Sequence, residues 1–278
     1  MSLRITVLCD NSVGALSGTL GEHGFAALIE PSHGGEPILF DTGQGQTLLH
    51  NAQRMHRDLS RVRRVVLSHG HYDHAGGLAP LLKEKGAKEV WAHPGIFSAR
   101  YRVKDTGEHI PIGSPQSRAE LEAMGAAFNL ASSFREIRPD IFLTGEVPRR
   151  SAFEKGDAGI YCDSTGCAPD LVPDDQSLVL RTKKGLVLLL GCCHAGIINT
   201  LEHVAERLGQ RDFYAVVGGM HLGFCAQLQI DETVAHLKGY AIKKLAVSHC
   251  TGFAAAARLF RDLPKGFHLA QVGYTLDL

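Results

Sequence analysis

The stretch LSHGHYDHAGGL, Leu67 to Leu78, sets His69, His71, Asp73 and His74 within six residues, in a chain where histidine is only 15 of 278. It follows an apolar run and leads into HAGGLAPLLKEKG, where Leu78, Leu81 and Leu82 share one side of a helix and Gly86 stops it. On a strand-like turn, residues i and i+2 project the same way, so the imidazoles of His69 and His71 can reach one ion. Asp73 and His74, on the turn that begins the helix, can point to a second position nearby. Imidazole nitrogen and carboxylate oxygen both suit borderline divalent metals such as zinc. A solvated polar loop has no use for this density, whereas four convergent ligands need a cation to satisfy them. The stretch reads as a metal site.

Working outward, LRITVLC (3–9), FAALIE (25–30) and ILFDTG (38–43) are short, apolar and bounded by turn residues, so each reads as a strand. QTLLHNAQRM (46–55) reads as a helix, RVVLSHG (64–70) as a strand broken by a polar turn, and EVWAHPG as a return to strand. From about 99 to 176 the pattern loosens into GEHIPIGSPQSRAEL, RRSAFEKGDAG and DSTGCAPDLVPDD, with a short helix at 117–125 and strands near 134–143 and 159–162. So long an irregular stretch reads as a substrate-facing insertion or lid within one domain, 1–278. Strands and helices then alternate: SLVLRT, GLVLLLG, helix NTLEHVAERLG, FYAVVGG, helix DETVAHLKGY, KLAVSHC and helix FAAAARLFRDL. His74-Ala75-Gly76 and His194-Ala195-Gly196 both follow an apolar strand and open a helix, an echo that suggests two similar halves.

A hydrophobic fraction of 44% with 21% charge suits a globular chain with a proper core. Lys+Arg and Asp+Glu both number 29, so net charge gives no reason to expect nucleic acid or an anionic membrane as partner. The expected partner is a small molecule. The longest apolar run, Leu186 to Leu190 extended through Cys193, is far short of a membrane span. Seven dispersed cysteines without a C-x-x-C pair, behind an N-terminus that runs straight into a strand, read as free thiols in a reducing cytoplasm.

H-x-H-x-D-H after an apolar strand and before G-G-L resembles the signature of the metallo-β-lactamase superfamily, and the resemblance covers nearly the whole chain. It implies an α/β (α+β) fold of αββα type, a four-layer sandwich whose halves each contribute a sheet, with metals at the sheet edges. ILFDTG then supplies the motif in which Asp41 orients the metal-binding loop rather than ligating. GEHG (21–24), LTGEVPR (143–149), GCCHAGIINT (191–200), GGMHL (218–222) and SHCTG (248–252) further resemble the branch similar to the 7,8-dihydropterin-6-methyl-4-(β-ribofuranosyl)aminobenzene-5′-phosphate synthase of methanopterin biosynthesis.

The resemblance implies His249, at the end of KLAVSHC, on a second metal with Asp73 and His74. His194 follows GLVLLLGCC, where relatives usually carry a strand-terminal aspartate that bridges both metals; here that aspartate is missing. His194 is expected to complete the first site with His69 and His71, with a bridging thiolate from Cys192 or Cys193 as the alternative. One or two divalent ions are expected, zinc first and iron or manganese otherwise. His221, ending FYAVVGGMHL, stands where tRNA-processing relatives hold a catalytic histidine, and reads as a general acid or as a core histidine. His23 has similar standing, and Asp73 joins these two as a catalytic candidate. Helix starts at Asn199-Thr200 and at Thr251-Gly252 are expected to aim N–H groups at a phosphate, with Arg149 and Arg150 supplying charge. His33, His50, His56, His93, His109, His203, His236 and His268 read as surface or packing residues.

The function expected is that of a metal-dependent enzyme acting on a phosphorylated small molecule, hydrolase-like through metal-activated hydroxide. The alternatives are a synthase-like transfer releasing pyrophosphate, in which an aromatic ring attacks a pterin methylene carbon, and a metal-binding sensor without catalysis. A homodimer is compatible with all three.

Overall fold

Two runs of sequence, each mixing antiparallel hairpins with parallel crossovers, build two seven-stranded sheets. The computed structural model describes residues 2–15, 17–32, 34–104 and 106–278, so His33 lies outside the described residues. Across the first sheet the strands are Thr275–Asp277, Leu3–Cys9, Ala26–Pro31, Ile38–Phe40, Arg64–Val66, Lys88–Ala92 and Ala126–Leu130. Across the second they are Phe267–Leu269, Lys244–Ser248, Phe213–Gly219, Gly185–Leu190, Leu178–Thr182, Ile141–Leu143 and Arg135–Arg138. Each sheet contains three antiparallel and three parallel neighbour pairs. The two halves have like topology, but the repeated His-Ala-Gly does not sit at equivalent places in them: His74 follows Arg64–Val66, the counterpart of Phe213–Gly219, whereas His194 follows Gly185–Leu190, the counterpart of Ile38–Phe40.

Side-chain alternation sets the layers. Every residue of Gly185–Leu190 is buried, as expected of a strand covered on both faces. Val187 and Leu189 join Ile5, Val7, Ile29 and Phe40 in the core between the sheets. Leu186, Leu188 and Leu190 point the other way, onto Ile197, Leu201 and Val204 of the helix Ile197–Leu208. In the first sheet Val66 faces the shared core, while Val65 faces outward among Leu78, Leu81 and Leu82. Helices Leu48–Arg54, Leu78–Lys85 and Arg118–Ala123 thus cover one sheet. Ile197–Leu208, Gln227–Leu237 and Phe253–Asp262 cover the other. The order of layers is α, β, β, α.

The segment 99–176 is less of an insertion than its composition suggests. Residues 118–143 supply a helix and three strands to the two main sheets, since AAFNL pairs in parallel with Lys88–Ala92. Irregular backbone flanks them, organised in part by a small sheet of Ile160–Tyr161, Tyr101–Val103 and His109–Pro111. No helix among the described residues is long and apolar enough to cross a membrane. All seven cysteines are free.

Parallel strands of both sheets deliver their ends to one edge. Asp41 follows Ile38–Phe40, Ser68 and His69 follow Arg64–Val66, and Cys192 to His194 follow Gly185–Leu190. His221 follows Phe213–Gly219 and His249 follows Lys244–Ser248. Loops beyond the carboxyl ends of strands are where open α/β sheets seat ligands.

Candidate metal centre

The centre is oriented from Asp41, which is wholly buried. Its Oδ1 accepts the Ser68 N–H at 2.7 Å, and its Oδ2 accepts the Ser68 hydroxyl and the His74 Nδ1–H, each at 2.7 Å. Because Ser68 spends its only side-chain proton on Asp41, its oxygen accepts from His69 Nδ1 at 2.9 Å. One carboxylate therefore fixes two imidazoles with the proton on Nδ1 and the lone pair on Nε2. His69 Nε2 lies 3.0 Å from His71 Nδ1 and 3.3 Å from His194 Nε2. Zinc–nitrogen bonds arranged tetrahedrally have edges of about 3.3 Å. The three nitrogens are spaced as ligands of one ion.

A second set of donors adjoins the first. His74 Nε2 is 3.2 Å from His249 Nε2 and 3.7 Å from Asp73 Oδ2, and His249 Nε2 is 3.3 Å from that same oxygen. Asn11 Oδ1 accepts the Gly24 N–H and the His249 Nδ1–H, which leaves the His249 lone pair on Nε2. Asn11 Nδ2 donates to His23 Nδ1 at 3.2 Å, so His23 offers its Nε2–H to Asp73 Oδ2 at 3.1 Å. The expected ligands His69, His71, Asp73, His74, His194 and His249 are thus brought together, all buried. Their donor set suits a divalent ion with imidazole and carboxylate preference.

Burial pushes His69 and His194 well below the usual imidazole range and takes His71 down to about 3. Neutral imidazole is the form that ligates. His74 moves the opposite way, to about 9: burial resists a proton there, but Asp73 and Asp41 outweigh it. Burial likewise resists charge on Asp73, and His74, His23 and His249 overcome it, leaving the carboxyl well below its usual range. A point that attracts a proton this strongly also favours a metal cation. Four of the seven non-glycine residues with positive φ among the described residues are here: Asp41, Cys193, His221 and His249. Such backbone persists only where its surroundings over-determine it.

Loop residues brace both turns. Arg100, almost fully buried, donates from Nε to Asp170 at 2.6 Å and from Nη1 to Asp174 Oδ2 at 3.1 Å. Asp174 Oδ2 in turn accepts the Gly70 N–H at 2.8 Å, inside the His69–His71 turn. A Cβ on Gly70 would sit 2.1 Å from the Ile96 carbonyl oxygen, so only glycine fits between the two histidines. Asp175 Oδ2 accepts the Ala195 N–H at 3.0 Å and steadies the turn that carries His194. Where the halves meet, a Cβ on Gly191 would lie 2.1 Å from Ser68 Oγ.

Above the donors lies a pocket of about 280 Å³, walled by Tyr72, Arg102, Ile112, Ile160 and Phe224. His221 lines it, its Nε2 2.7 Å from Asp157 Oδ2 and its ring centroid 4.1 Å from that of His194. Burial lowers the proton affinity of His221, but the hydrogen bonds to Asp157 and Cys250 outweigh this and raise its pKa to about 10. Arg102 stands 5.4 Å over the Phe224 ring with Nη1 3.6 Å from Asp157. A larger depression, about 500 Å³ beside Phe153 and His236, has no comparable convergence of ligand atoms among the described residues.

A family model described as the metallo-beta-lactamase superfamily matches residues 20–152. The solved structure of Tm1679, a metal-dependent hydrolase of the beta-lactamase superfamily, is similar over 99% of both chains, with 32% identity and a TM-score of 0.84. The chain belongs to the metallo-β-lactamase superfamily. Two proteins of Methanocaldococcus jannaschii are similar over most of its length. One is named 7,8-dihydropterin-6-methyl-4-(beta-D-ribofuranosyl)-aminobenzene-5′-phosphate synthase and is 29% identical over 98% of this chain and 95% of its own. The other, an uncharacterized protein, is 32% identical over 92% of this chain and 93% of its own.

Within this superfamily fold the helix start expected to seat a phosphate at Asn199-Thr200 is taken by the chain itself. Glu154 accepts the N–H groups of Ile198 and Asn199, each at 2.8 Å, and so occupies the helix start. Asn199 accepts from the Arg150 and Ser151 N–H groups, and the Thr200 hydroxyl donates to the Gly196 carbonyl. Arg149 donates to the carbonyl of His194 at 2.6 Å and to that of Leu171, while Arg150 pairs with Glu206 on the surface. Thr251 and Gly252 line a different cavity, of about 250 Å³. Arg100, Arg102, Glu154, Asp157, Asp174 and Asp175 are not among the site residues expected from the sequence. The pair Asp174-Asp175, two residues ahead of the apolar strand Leu178–Thr182, was the available signal, because adjacent acids there can brace two turns.

Proposed function

We propose that this member of the superfamily is a metal-dependent enzyme acting on a phosphorylated small molecule, as a hydrolase. The observation that carries the reading is the convergence of two donor sets beneath a pocket whose wall holds Arg102. One or two divalent ions held there, zinc first, would polarise a phosphoryl oxygen and lower the pKa of a water to ~7. The protein's own groups do the rest. Arg102 offers a planar fork to a phosphate entering the pocket. Asp157 takes the Nε2–H of His221 and turns the ring beside His194 in the pocket wall, where the protonated imidazole would hand a proton to the leaving group. His23, tied to Asp73, keeps that carboxylate in place. Free thiols support a reducing, cytoplasmic setting.

A second reading is favoured by the full-length similarity to the named synthase. The same site would then serve a departing pyrophosphate while an aromatic ring attacks a pterin methylene carbon. Zinc- or manganese-loaded protein should be assayed on phosphate mono- and diesters, and separately on a pterin pyrophosphate with the phosphorylated aminobenzene. Metal-dependent ester cleavage lost in His221→Ala supports hydrolysis. Pyrophosphate release that needs both co-substrates supports the transfer. Inertness in both, with metal bound, overturns the enzyme reading and leaves a sensor.

A further inference from the structure

We propose that Cys192 is a ligand of the metal centre, binding as a thiolate between the two donor sets; this rests on the metal-centre reading above. Its Sγ is buried and lies 3.1 Å from His74 Nε2, the lone-pair nitrogen fixed by Asp41. The ligand atoms of His69, His74 and Cys192 all fall within 4.8 Å of one another. His69 belongs to the first set and His74 to the second, so this sulfur stands at their junction. Thiolate is a strong ligand for zinc, and coordination removes its proton to solvent as the metal–sulfur bond forms.

The neighbouring thiols are placed differently. Cys193 has φ 62°, which turns its side chain away from that of Cys192. Its Sγ meets Thr200 Oγ1 at 3.4 Å within the outer core beside Ile197. Cys250 Sγ accepts the His221 N–H at 3.3 Å and reaches the Cys192 carbonyl at 3.5 Å, so backbone groups already engage it. Cys192 Sγ accepts no backbone N–H among the described residues; it meets His74 Nε2 at 3.1 Å and the Cys250 thiol beside it. The donor set then becomes imidazole, carboxylate and one sulfur, which tilts metal preference toward zinc and away from manganese.

The test is titration of the metal-free full chain with cobalt(II) alone, read by near-ultraviolet absorption, together with X-ray absorption of the zinc-loaded protein. Wild type should show a thiolate-to-cobalt charge-transfer band, and one sulfur neighbour at about 2.3 Å from zinc. Cys192→Ser should lose both while still binding metal, whereas Cys193→Ser and Cys250→Ser keep them. If Cys192→Ser fails to fold, retention of the sulfur signal in both other variants assigns it to Cys192. Metal bound without a sulfur signal in wild type, or a signal lost in Cys250→Ser or retained in Cys192→Ser, overturns the proposal and leaves the metal centre standing. Failure to bind any metal would instead remove the metal-centre reading itself.

Discussion

Asp174 accepts the backbone N–H of Gly70 at 2.8 Å, joining residues 104 apart in sequence, while Arg100 holds the same carboxylate. The turn between His69 and His71 is therefore braced by an ion pair from a distant loop. Taking two charges out of water is costly, and removing one partner leaves the other uncompensated.

Asp174→Ala should accordingly lower the free energy of unfolding by about 3–5 kcal/mol, because Arg100 would stay buried with Asp170 as its remaining carboxylate. Urea unfolding of the metal-free protein measures this without interference from bound metal. A loss below about 1 kcal/mol, the size of a surface ion pair, would show that the clamp is solvated.

Asp41→Asn tests how the imidazoles are oriented. The amide keeps the volume but cannot accept from Ser68 and His74 at once through the same oxygen and also from the Ser68 N–H through the other. Metal affinity should fall about 10–100-fold, as for other partners of ligating histidines. Competition against a chromogenic chelator checks it, with circular dichroism confirming an unchanged fold.

Chelation should destabilise the wild type. At a free metal concentration about a thousandfold above Kd, binding adds roughly 4 kcal/mol to the folded state. The thermal midpoint should drop on chelation and recover when zinc is returned. His69→Ala, which keeps only the donors of the second set intact, should show a smaller drop and a smaller recovery.

Arg102 and Arg149 should separate cleanly. Arg102→Ala removes a cation from the pocket wall, so it should raise KM for a phosphorylated substrate several-fold with metal content unchanged. Arg149→Ala removes the hydrogen bond to the His194 carbonyl, so it should loosen metal binding and lower stability before it touches substrate affinity.

Much of this was legible in the sequence because it is local. His69 to His74 sit in one turn, the apolar strands Gly185–Leu190 and Lys244–Ser248 announce themselves, and His194 and His249 stand just beyond strand ends. What was hidden is long-range. Asp174, Asp157 and Arg102 are single charged residues in turn-rich sequence, and nothing nearby in the chain says that each reaches Gly70, His221 or the pocket. The helix start at Ile197 looked like a phosphate seat, since its N–H groups are visible in sequence and Glu154, which fills it, is 44 residues away. The strand Ala126–Leu130 was lost within its surroundings for the same reason: pairing with Lys88–Ala92, rather than its own composition, makes it a strand.

The most direct test is the metal content of the purified chain after zinc loading and exhaustive dialysis, compared with the double variant His69→Ala, His194→Ala. Wild type should retain one or two ions per chain, and the variant should lose at least the ion between His69, His71 and His194. A wild type that retains none, or a variant that retains as much as wild type, would contradict the assignment of these histidines as the metal centre.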